Sequence, residues 1–361
     1  MRENWTYKKL GEVATFINGY AFKPDQWKDS GTPIVRIQNL NNPDAPYNYY
    51  DGEVPNKVKI KDGDLLISWS ASLGTYIWKG GDAFLNQHIF KVEFDKLDVD
   101  KMFLKYAVTS KLDAMTQLVH GATMKHIVKK DFDNTPIPYP SLSEQQSIVA
   151  ELDKINELIS LKKAQLDDLD ALAQSIFYDM FGDPIENEKG WEVKKLGEVC
   201  TIIAGGDKPI DISESPNGDY IYPVIANGEG MKGILGYSNK YRISNPSVTI
   251  GARGASIGNC RIVKERFTPV VRLITLSPEE SLEVTYLYFY AKHIRYNSNG
   301  AGQAQLTVPN VKSELIPLPP LPLQQEFAKR IELIEKQKVQ ISSTIKDLET
   351  LLASRMQYWF D

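Results

Sequence analysis

The chain has 361 residues, 42% of them hydrophobic, and a formal net charge of -4, which is enough material for two ordinary cores. Its two cysteines, Cys200 and Cys260, and its four histidines show neither a disulfide framework nor a metal-ligand spacing, so we expect no disulfide and no metal site. No apolar run approaches the roughly 18 residues of a membrane span, and the first residues do not open a signal peptide, so we expect a cytoplasmic protein.

The opening segment returns later in the chain. Residues 5–13 read Trp-Thr-Tyr-Lys-Lys-Leu-Gly-Glu-Val, and residues 191–199 read Trp-Glu-Val-Lys-Lys-Leu-Gly-Glu-Val. Both segments predict a short helix-like turn that leads into a strand. Further matches follow at spacings that fall from 186 through 184 to 179 residues, so the whole chain is an internal duplication with loop insertions and deletions. The central parts of the two copies differ in sequence, which favours two sites of one kind that read different ligands. The alternative is a duplication whose copies have merely drifted apart in sequence.

Each half is predicted to be a mostly β domain with a few short helices, which makes the fold α+β. Alternation of apolar and polar residues predicts short strands at 64–69, 89–94 and 270–274. Helical patterns cover 99–112 and 282–294. The proline-rich segments that end the two domains are expected to be stiff, extended connectors; their prolines are Pro136, Pro138, Pro140, Pro317, Pro319, Pro320 and Pro322.

A long amphipathic helix is predicted at the end of each half, first at 144–181 and then 179 residues later. Ser141 and Glu144 form a capping box before the first helix, and Gly182 supplies its stop. Apolar residues recur in steps of four and three, which is a coiled-coil heptad and suits two helices that pack on each other. The heptad positions are Ile148, Leu152, Ile155, Ile159, Leu166, Leu169, Ala173, Ile176 and Met180, then Phe327, Ile331, Ile334, Ile341, Ile345, Leu348, Leu352 and Trp359.

Positive charge concentrates between residues 231 and 277, where eight basic residues face the single acidic residue Glu265. Such a cluster would neutralise DNA phosphates, although the overall net charge argues weakly against nucleic-acid binding. The glycine-rich segment 251–258 would let the backbone approach a phosphate, and Arg253 could make a bidentate contact or read a guanine edge. A glycine-rich hairpin with solvated arginines is the alternative. The candidate DNA-binding residues of the second half are Lys232, Lys240, Arg242, Arg253, Ser256, Arg261, Arg266, Gln303 and Gln305.

The corresponding loop of the first half, residues 69–76, indicates DNA binding less strongly. Asn and Gln side chains read adenine edges in principle, yet each one is more often an ordinary surface or turn residue. The candidate DNA-binding residues of the first half are Arg36, Gln38, Asn39, Ser70, Ser72, Gln87, Lys125 and Lys129.

No catalytic constellation is found in the sequence. The chain has no Gly-x4-Gly-Lys-Ser/Thr phosphate loop. Residues 244–247 only faintly echo the Asn-Pro-Pro-aromatic motif of amino-methyltransferases, and no glycine-rich cofactor turn accompanies them, so a plain turn is the better interpretation.

A family resemblance follows from the order of these motifs. A duplicated domain that opens with Trp-x-x-Lys-Lys-Leu-Gly-Glu-Val, ends in a proline-rich segment with Gln-Gln (Pro138 to Gln146, Pro317 to Gln325) and continues into a long helix resembles the DNA-specificity subunit of type I restriction-modification systems. The resemblance covers essentially the whole chain. It implies two target-recognition domains, each reading half of a split DNA sequence, with two helices packed as an antiparallel coiled coil that holds them apart.

The same resemblance implies partners. Methyltransferase subunits, two of them expected, would bind S-adenosylmethionine and dock on the assembly, and a translocase-nuclease subunit would complete it, while this chain binds no cofactor itself. Two other classes stay open on the residues alone: a coiled-coil scaffold whose β domains bind proteins, and a directly catalytic DNA methyltransferase. The expected boundaries are 1–143 and 183–322 for the recognition domains, and 144–182 and 323–361 for the helices.

Overall fold

The chain divides into two units in a computed structural model. The first unit comprises Met1–Lys162 together with Thr344–Asp361, and the second comprises Lys163–Ser343. Each unit combines small sheets with a few short helices, as the α+β prediction requires. The structure describes residues 5–117, 127–228, 233–254, 257–294 and 305–361.

The first unit contains two four-stranded sheets and a two-stranded ribbon. In chain order its elements are β1 (Thr6–Lys9), α1 (Leu10–Val13), β2 (Thr15–Asn18), β3 (Thr32–Val35), α2 (Ile37–Asn41), β4 (Asn48–Tyr50), β5 (Lys59–Ile60), β6 (Leu65–Ser68), β7 (Gly74–Ile77), β8 (Ala83–Leu85), β9 (Ile89–Glu93), α3 (Lys101–Gln117), α4 (Lys129–Asn134), β10 (Pro136–Tyr139) and the start of α5 (Leu142–Phe181). The sheet orders are β2-β9-β6-β7, β4-β3-β8-β5 and β1-β10, and among the described strands of this unit only β3 and β8 pair in parallel.

The second unit repeats this plan with one strand fewer among its described residues. Its elements are β11 (Glu192–Lys195), α6 (Leu196–Val199), β12 (Cys200–Ala204), β13 (Tyr222–Ile225), β14 (Ile234–Ser238), β15 (Ser247–Gly251), β16 (Cys260–Val263), β17 (Thr268–Pro269), β18 (Leu273–Pro278), α7 (Val284–Ala291), α8 (Val308–Ser313), β19 (Leu315–Leu318) and the start of α9 (Leu321–Phe360). The sheet orders are β12-β18-β15-β16, β14-β13-β17 and β11-β19, with β13 and β17 parallel.

The proline-rich segments are strands as well as connectors, which corrects the prediction. Their extended backbone pairs with the opening strand of the same domain, with Tyr7 opposite Pro138 and Val193 opposite Pro317. Proline is tolerated in such a ribbon because an edge position needs no donor from the proline nitrogen. The repeated opening and the proline-rich exit therefore form one structural element in each unit.

The two long helices have 40 residues each and begin two residues before the predicted start. The predicted capping box is present, since the Ser141 amide donates to Glu144 at 3.0 Å and the Glu144 amide donates to the Ser141 hydroxyl at 3.4 Å. Gly182 follows α5 with φ 75°, the left-handed conformation that ends helices. The predicted heptad positions are buried or half-buried throughout, so the amphipathic pattern is confirmed.

Each long helix contributes to both units. In the second unit, Lys338 donates to Asp170 at 2.8 Å, and Phe327 packs on both Phe177 and Phe181, so the α5 and α9 segments run antiparallel there. In the first unit Glu151 of α5 receives hydrogen bonds from α9, at 3.0 Å from Arg355 Nη2 and at 3.0 Å from Trp359 Nε1. Helix contacts are thus present inside each unit, while the supercoil expected from the heptads stays a prediction.

Buried glutamine side chains attach each long helix to its domain. The Gln145 side chain accepts from the Asp100 amide at 2.9 Å and donates to the Pro140 carbonyl at 3.0 Å. Gln324 makes the same two contacts, with the Glu283 amide at 2.9 Å and the Pro319 carbonyl at 2.7 Å. Both glutamines are 0% exposed. The repeated Gln-Gln motif therefore joins the start of α5 to the N-terminus of α3, and the start of α9 to the N-terminus of α7.

No helix in the described part of the chain combines the length and the apolar composition that crossing a membrane requires.

Candidate functional site

In the second unit, four segments meet at one end of the β12-β18-β15-β16 sheet. The Gly205 amide donates to the Leu273 carbonyl at 2.8 Å, and the Ala252 amide donates to the Arg272 carbonyl at 2.8 Å. The Leu306 amide in turn donates to the Ala252 carbonyl at 3.0 Å. These bonds hold the end of β12, the end of β15, the turn before β18 and the segment before α8 side by side.

The first unit repeats the arrangement bond for bond. The Gly19 amide donates to the Ile89 carbonyl at 3.1 Å, and the Trp69 amide donates to the His88 carbonyl at 3.3 Å. The Ile127 amide donates to the Trp69 carbonyl at 3.0 Å. We call these two equivalent sets of backbone contacts the shared frame, formed by Gly19, Trp69, His88, Ile89 and Ile127 in the first unit and by Gly205, Ala252, Arg272, Leu273 and Leu306 in the second.

Both frames depend on a glycine where two backbones nearly touch. A Cβ on Gly19 would lie 2.2 Å from the Asn86 carbonyl oxygen, and a Cβ on Gly205 would lie 2.1 Å from the Val270 carbonyl oxygen. No real Cβ atom approaches a backbone atom so closely, so only glycine fits either position. The backbone of the frame is thus specified in the same way in both units.

The side chains carried by the frame differ between the units. Where the first unit has Trp69 and Ser70, the second has Ala252 and Arg253, and where the first has Gln87 and His88, the second has Val271 and Arg272. These pairs occupy equivalent backbone positions with different size, charge and hydrogen-bonding capacity. The arrangement is one scaffold with two chemical surfaces.

Two of the predicted residues of the second half meet at the frame. Arg253 and Gln305 are both exposed and pair through a backbone bridge, and the Arg253 carbonyl accepts from Asn227 at 3.0 Å. The exposed Arg242 lies close by, because a Cβ on Gly206 would be 2.3 Å from its Nη1 atom. β15 and β16 pair antiparallel, and Arg253, two residues after β15, is exposed.

Other predicted residues of the second half lie elsewhere. Arg261 lines a separate cavity of about 370 Å³ together with Asn227 and Lys292. The Arg266 guanidinium lies 4.9 Å from the centre of the Tyr241 ring, and Lys240 is exposed. Lys232, Ser256 and Gln303 of this half, and Lys125 of the first half, lie outside the described residues.

In the first unit, Ser70 and Gln87 belong to the frame region. Ser70 is only 6% exposed, whereas Gln87 is exposed and its Nε2 lies 3.2 Å from His88 Nε2. Ser72 is also exposed, and its carbonyl accepts from the Ser68 hydroxyl at 2.6 Å. Gln87 and Ser72 are therefore available to a ligand, while Ser70 is largely covered.

Asn39 has a structural role that the sequence did not indicate. It is 3% exposed, accepts from the Arg36 amide at 3.1 Å and donates to the Ala45 carbonyl at 3.1 Å and the Pro46 carbonyl at 3.3 Å. Its amide group therefore has no edge left for a base, because both polar atoms are engaged inside the domain.

The remaining candidates of the first half keep some exposure. Arg36 donates to Asn48 at 3.1 Å and lies over the Trp27 ring, and Gln38 is exposed with a 3.4 Å contact to the Pro46 carbonyl. The Lys129 ammonium is paired with Asp133 at 2.9 Å. All three have partners inside the domain, and the charge of Lys129 is paired with a carboxylate.

Sequence reasoning missed Arg272 and His88 as a matched pair. His88 lies in the turn before β9 and Arg272 in the turn before β18. Their carbonyls accept equivalent hydrogen bonds, from the Trp69 amide and from the Ala252 amide. The 184-residue spacing between the copies contained this information, because it places His88 on Arg272. Without the strand pairing, nothing indicated that this turn lies beside Ala252 and Arg253.

The cysteines offer no nucleophile. Burial raises the pKa of Cys200 to about 12, with a further contribution from the nearby Glu279 carboxylate. Burial also raises the pKa of Cys260 to about 12, although the nearby Lys292 charge acts in the opposite direction. Both thiols therefore stay protonated at neutral pH. Within the ranges that the structure describes, no group of three His, Cys, Asp or Glu side chains could hold a metal ion.

Comparison with known proteins gives one consistent family. The family described as type I restriction modification DNA specificity domain matches residues 2–171 and again residues 188–350. A putative type I specificity subunit of Mycoplasma pneumoniae is 27% identical over 272 residues, which cover 74% of this chain and 73% of the relative. The specificity subunit of the type I restriction enzyme MjaIX of Methanocaldococcus jannaschii is 25% identical over 381 residues, which cover 92% and 88%.

Solved structures agree on the fold. A crystal structure of a type I restriction-modification system S subunit from M. genitalium aligns with a TM-score of 0.59 at 17% identity, covering 99% of this chain and 96% of that chain. A second structure, from work on assembly and conformational transition of the type I system, aligns with a TM-score of 0.61 at 20% identity, covering 99% and 97%. At these identities the likeness supports the architecture of the chain.

Proposed function

Since this chain belongs to the type I restriction modification DNA specificity family, we propose that it recognises DNA within a type I complex and that each unit reads one half of a split target. The observation that carries this proposal is the shared frame. Two units present the same backbone surface, held by equivalent hydrogen bonds, with different side chains at equivalent positions. Two sites of one kind with different chemistry are what a target with two different halves requires.

The side chains on the frame suit the edges of bases. Arginine makes bidentate contacts with guanine, and glutamine does so with adenine. The second unit offers Arg253 and Gln305 side by side, while the first offers Gln87. The two halves of the target therefore differ in sequence, because the donors that meet the groove differ.

Exposed charges of the second unit supply the sequence-independent part of binding in this proposal. Lys240, Arg242 and Arg266 are exposed on the same unit. Each cation that reaches a phosphate releases counterions, which makes affinity fall as salt rises. We assign these three residues to phosphate contacts, because such contacts position the protein without reading the sequence.

The chemistry of modification belongs to partners in this proposal, and the chain itself is non-catalytic. Methyltransferase subunits bind S-adenosylmethionine, two of them because there are two equivalent units, and a translocase-nuclease subunit completes the complex. Five apolar side chains on the long helices are exposed and would be covered by a subunit docked there. They are Leu161, Leu172, Leu333, Val339 and Leu351.

We further propose that the recognition domains are residues 1–143 and 183–322 and that the helices, 144–182 and 323–361, set the distance between the two half-sites. The two buried glutamines support this division, since each attaches a domain to its helix through two hydrogen bonds. A domain held in this way cannot swivel freely on its helix, so helix length can determine spacing.

Domain exchange tests the proposal. Residues 5–135 are replaced by the corresponding domain of a relative, and the methylated sites of a genome carrying the hybrid and its cognate methyltransferase are sequenced. One half of the target should change while the other half and the spacing persist. The reciprocal exchange within residues 192–314 is the matched control and should change the other half alone.

Salt dependence of DNA binding separates this function from a protein scaffold. In gel shifts with the assembled complex, affinity should fall steeply between about 50 and 200 mM salt, because several phosphates are neutralised. No binding to any duplex, or simultaneous change of both half-sites in the exchange, would contradict the proposal.

A further inference from the structure

Arg272 has a backbone conformation that arginine adopts only at a cost. Its φ is 74°, in the left-handed region, where the Cβ of an ordinary residue is crowded by its own backbone. In the described part of the chain only two other non-glycine residues, Ala71 and Asn187, have positive φ. Residues held in this way concentrate at functional sites.

The strain is not required by the frame. The equivalent residue of the first unit, His88, makes the same carbonyl contact, accepting from Trp69 as Arg272 accepts from Ala252, without a positive φ. Glycine would adopt the Arg272 conformation freely. Arginine at this position is therefore explained by its side chain rather than by the turn.

The Arg272 side chain is exposed and stands beside the other base-reading candidates. Together with Arg253 and Gln305 it lines a cavity of about 300 Å³ at the end of the sheet. In the described ranges, neither arginine has a carboxylate within ion-pair distance. The guanidinium groups of Arg253 and Arg272 thus project from two turns, which are joined by the hydrogen bond from the Ala252 amide to the Arg272 carbonyl.

We infer that Arg272 is a specificity-determining residue that donates two hydrogen bonds to a guanine in the half-site of the second unit; this rests on the proposed function. A phosphate contact needs only a positive charge on a flexible stem, which an unstrained position supplies as well. A bidentate base contact needs a planar guanidinium held in a fixed orientation toward the edge of the base. The turn fixes the backbone that carries this side chain, since the Arg272 carbonyl accepts a hydrogen bond from the Ala252 amide.

The test uses the full chain assembled with its cognate methyltransferase subunits. Sequencing of methylated sites first defines both halves of the wild-type target. Binding is then measured on duplexes in which each guanine of the second half is replaced in turn. The variants are Arg272→Gly and Arg272→Asn, both of which accept a left-handed backbone, and Lys194→Ala is a control that removes one charge from β11.

Wild type should bind the intact site about 10- to 100-fold more tightly than a duplex lacking one particular guanine, and both Arg272 variants should lose this preference at that position alone. Both Arg272 variants should still recognise the first half of the target as the wild type does, and the Lys194 variant should keep the wild-type preference throughout. Arg272→Gly should unfold at the wild-type temperature or above, because the backbone strain is relieved. That outcome supports the inference.

Uniform weakening on every duplex with a lower salt slope would show a phosphate contact and overturn it. Unchanged preference in both folded variants would overturn it too. A wild-type complex without any sequence preference would instead refute the proposed function, and the inference with it.

Discussion

The last aromatic residue of the chain is predicted to stabilise the first unit. Phe360 is 1% exposed, and its ring centroid lies 5.3 Å from that of Phe103 in α3. Truncating a fully buried phenylalanine to alanine removes its transfer free energy and leaves a cavity, for a cost of about 3–5 kcal/mol. Because a domain of this size is stable by about 5–15 kcal/mol, Phe360→Ala should remove a large share of the free energy of unfolding of the first unit.

Hydrogen exchange with mass spectrometry locates the effect. In the full-length variant, amides of the first unit that exchange through global opening should exchange faster by about two to three and a half orders of magnitude, since each 1.4 kcal/mol is tenfold. Amides of Lys163–Ser343 should keep wild-type protection. Gln357→Ala is the matched control on the same turn of α9, since Gln357 is exposed and should change stability by less than about 0.5 kcal/mol.

The equivalent residue gives the mirror-image result. Phe181 is 2% exposed and lies 4.7 Å from the ring of Tyr286, so Phe181→Ala should lower protection in the second unit and leave the first unchanged. Equal loss of protection in both units after either substitution, or no loss in either, would refute the assignment of each helix end to the core of one unit.

Three further predictions concern recognition, spacing and pH. Arg253→Ala should cost about 1–3 kcal/mol and relax one position of the site, whereas Arg242→Ala should weaken binding to all sequences and flatten the salt slope by about one unit. Unchanged affinity in both variants would exclude both contacts. Four residues inserted after Leu161 add about 6 Å to α5 as a local stutter, so methylome sequencing should show a spacer longer by one to two base pairs with both half-sequences intact. The hydrogen bond from Arg355 lowers the pKa of Glu151 in the folded protein below its usual 4.5. The stability that this pair contributes is therefore present above pH 4.5 and is lost as the pH falls through the pKa of Glu151 in the folded protein. In thermal unfolding from pH 7 to 3, Glu151→Gln should be less stable than wild type at neutral pH and converge with it in acid.

Local patterns determined the long elements. The heptad steps, the Ser141–Glu144 capping box and Gly182 define α5 within two residues, because helix formation depends on neighbours within one or two turns. The duplication determined that two units share one plan, since a repeated sequence repeats its fold. Arg253, within the basic segment 231–277, is exposed, and its contact with DNA stays a prediction.

Tertiary structure decided which distant segments meet. Strand pairing places the turn of Arg272 beside Ala252, and it converts the proline-rich segments into partners of the opening strands. Burial then separates residues of one type: Asn39 and Gln145 are enclosed with their amides satisfied, whereas Gln305 is exposed. A polar side chain carries no local signal of its burial, because burial depends on what packs over it from elsewhere in the chain. The sequence alone therefore determined the duplicated plan and the helices, while the frame that presents the reading side chains exists only once non-local strands have paired.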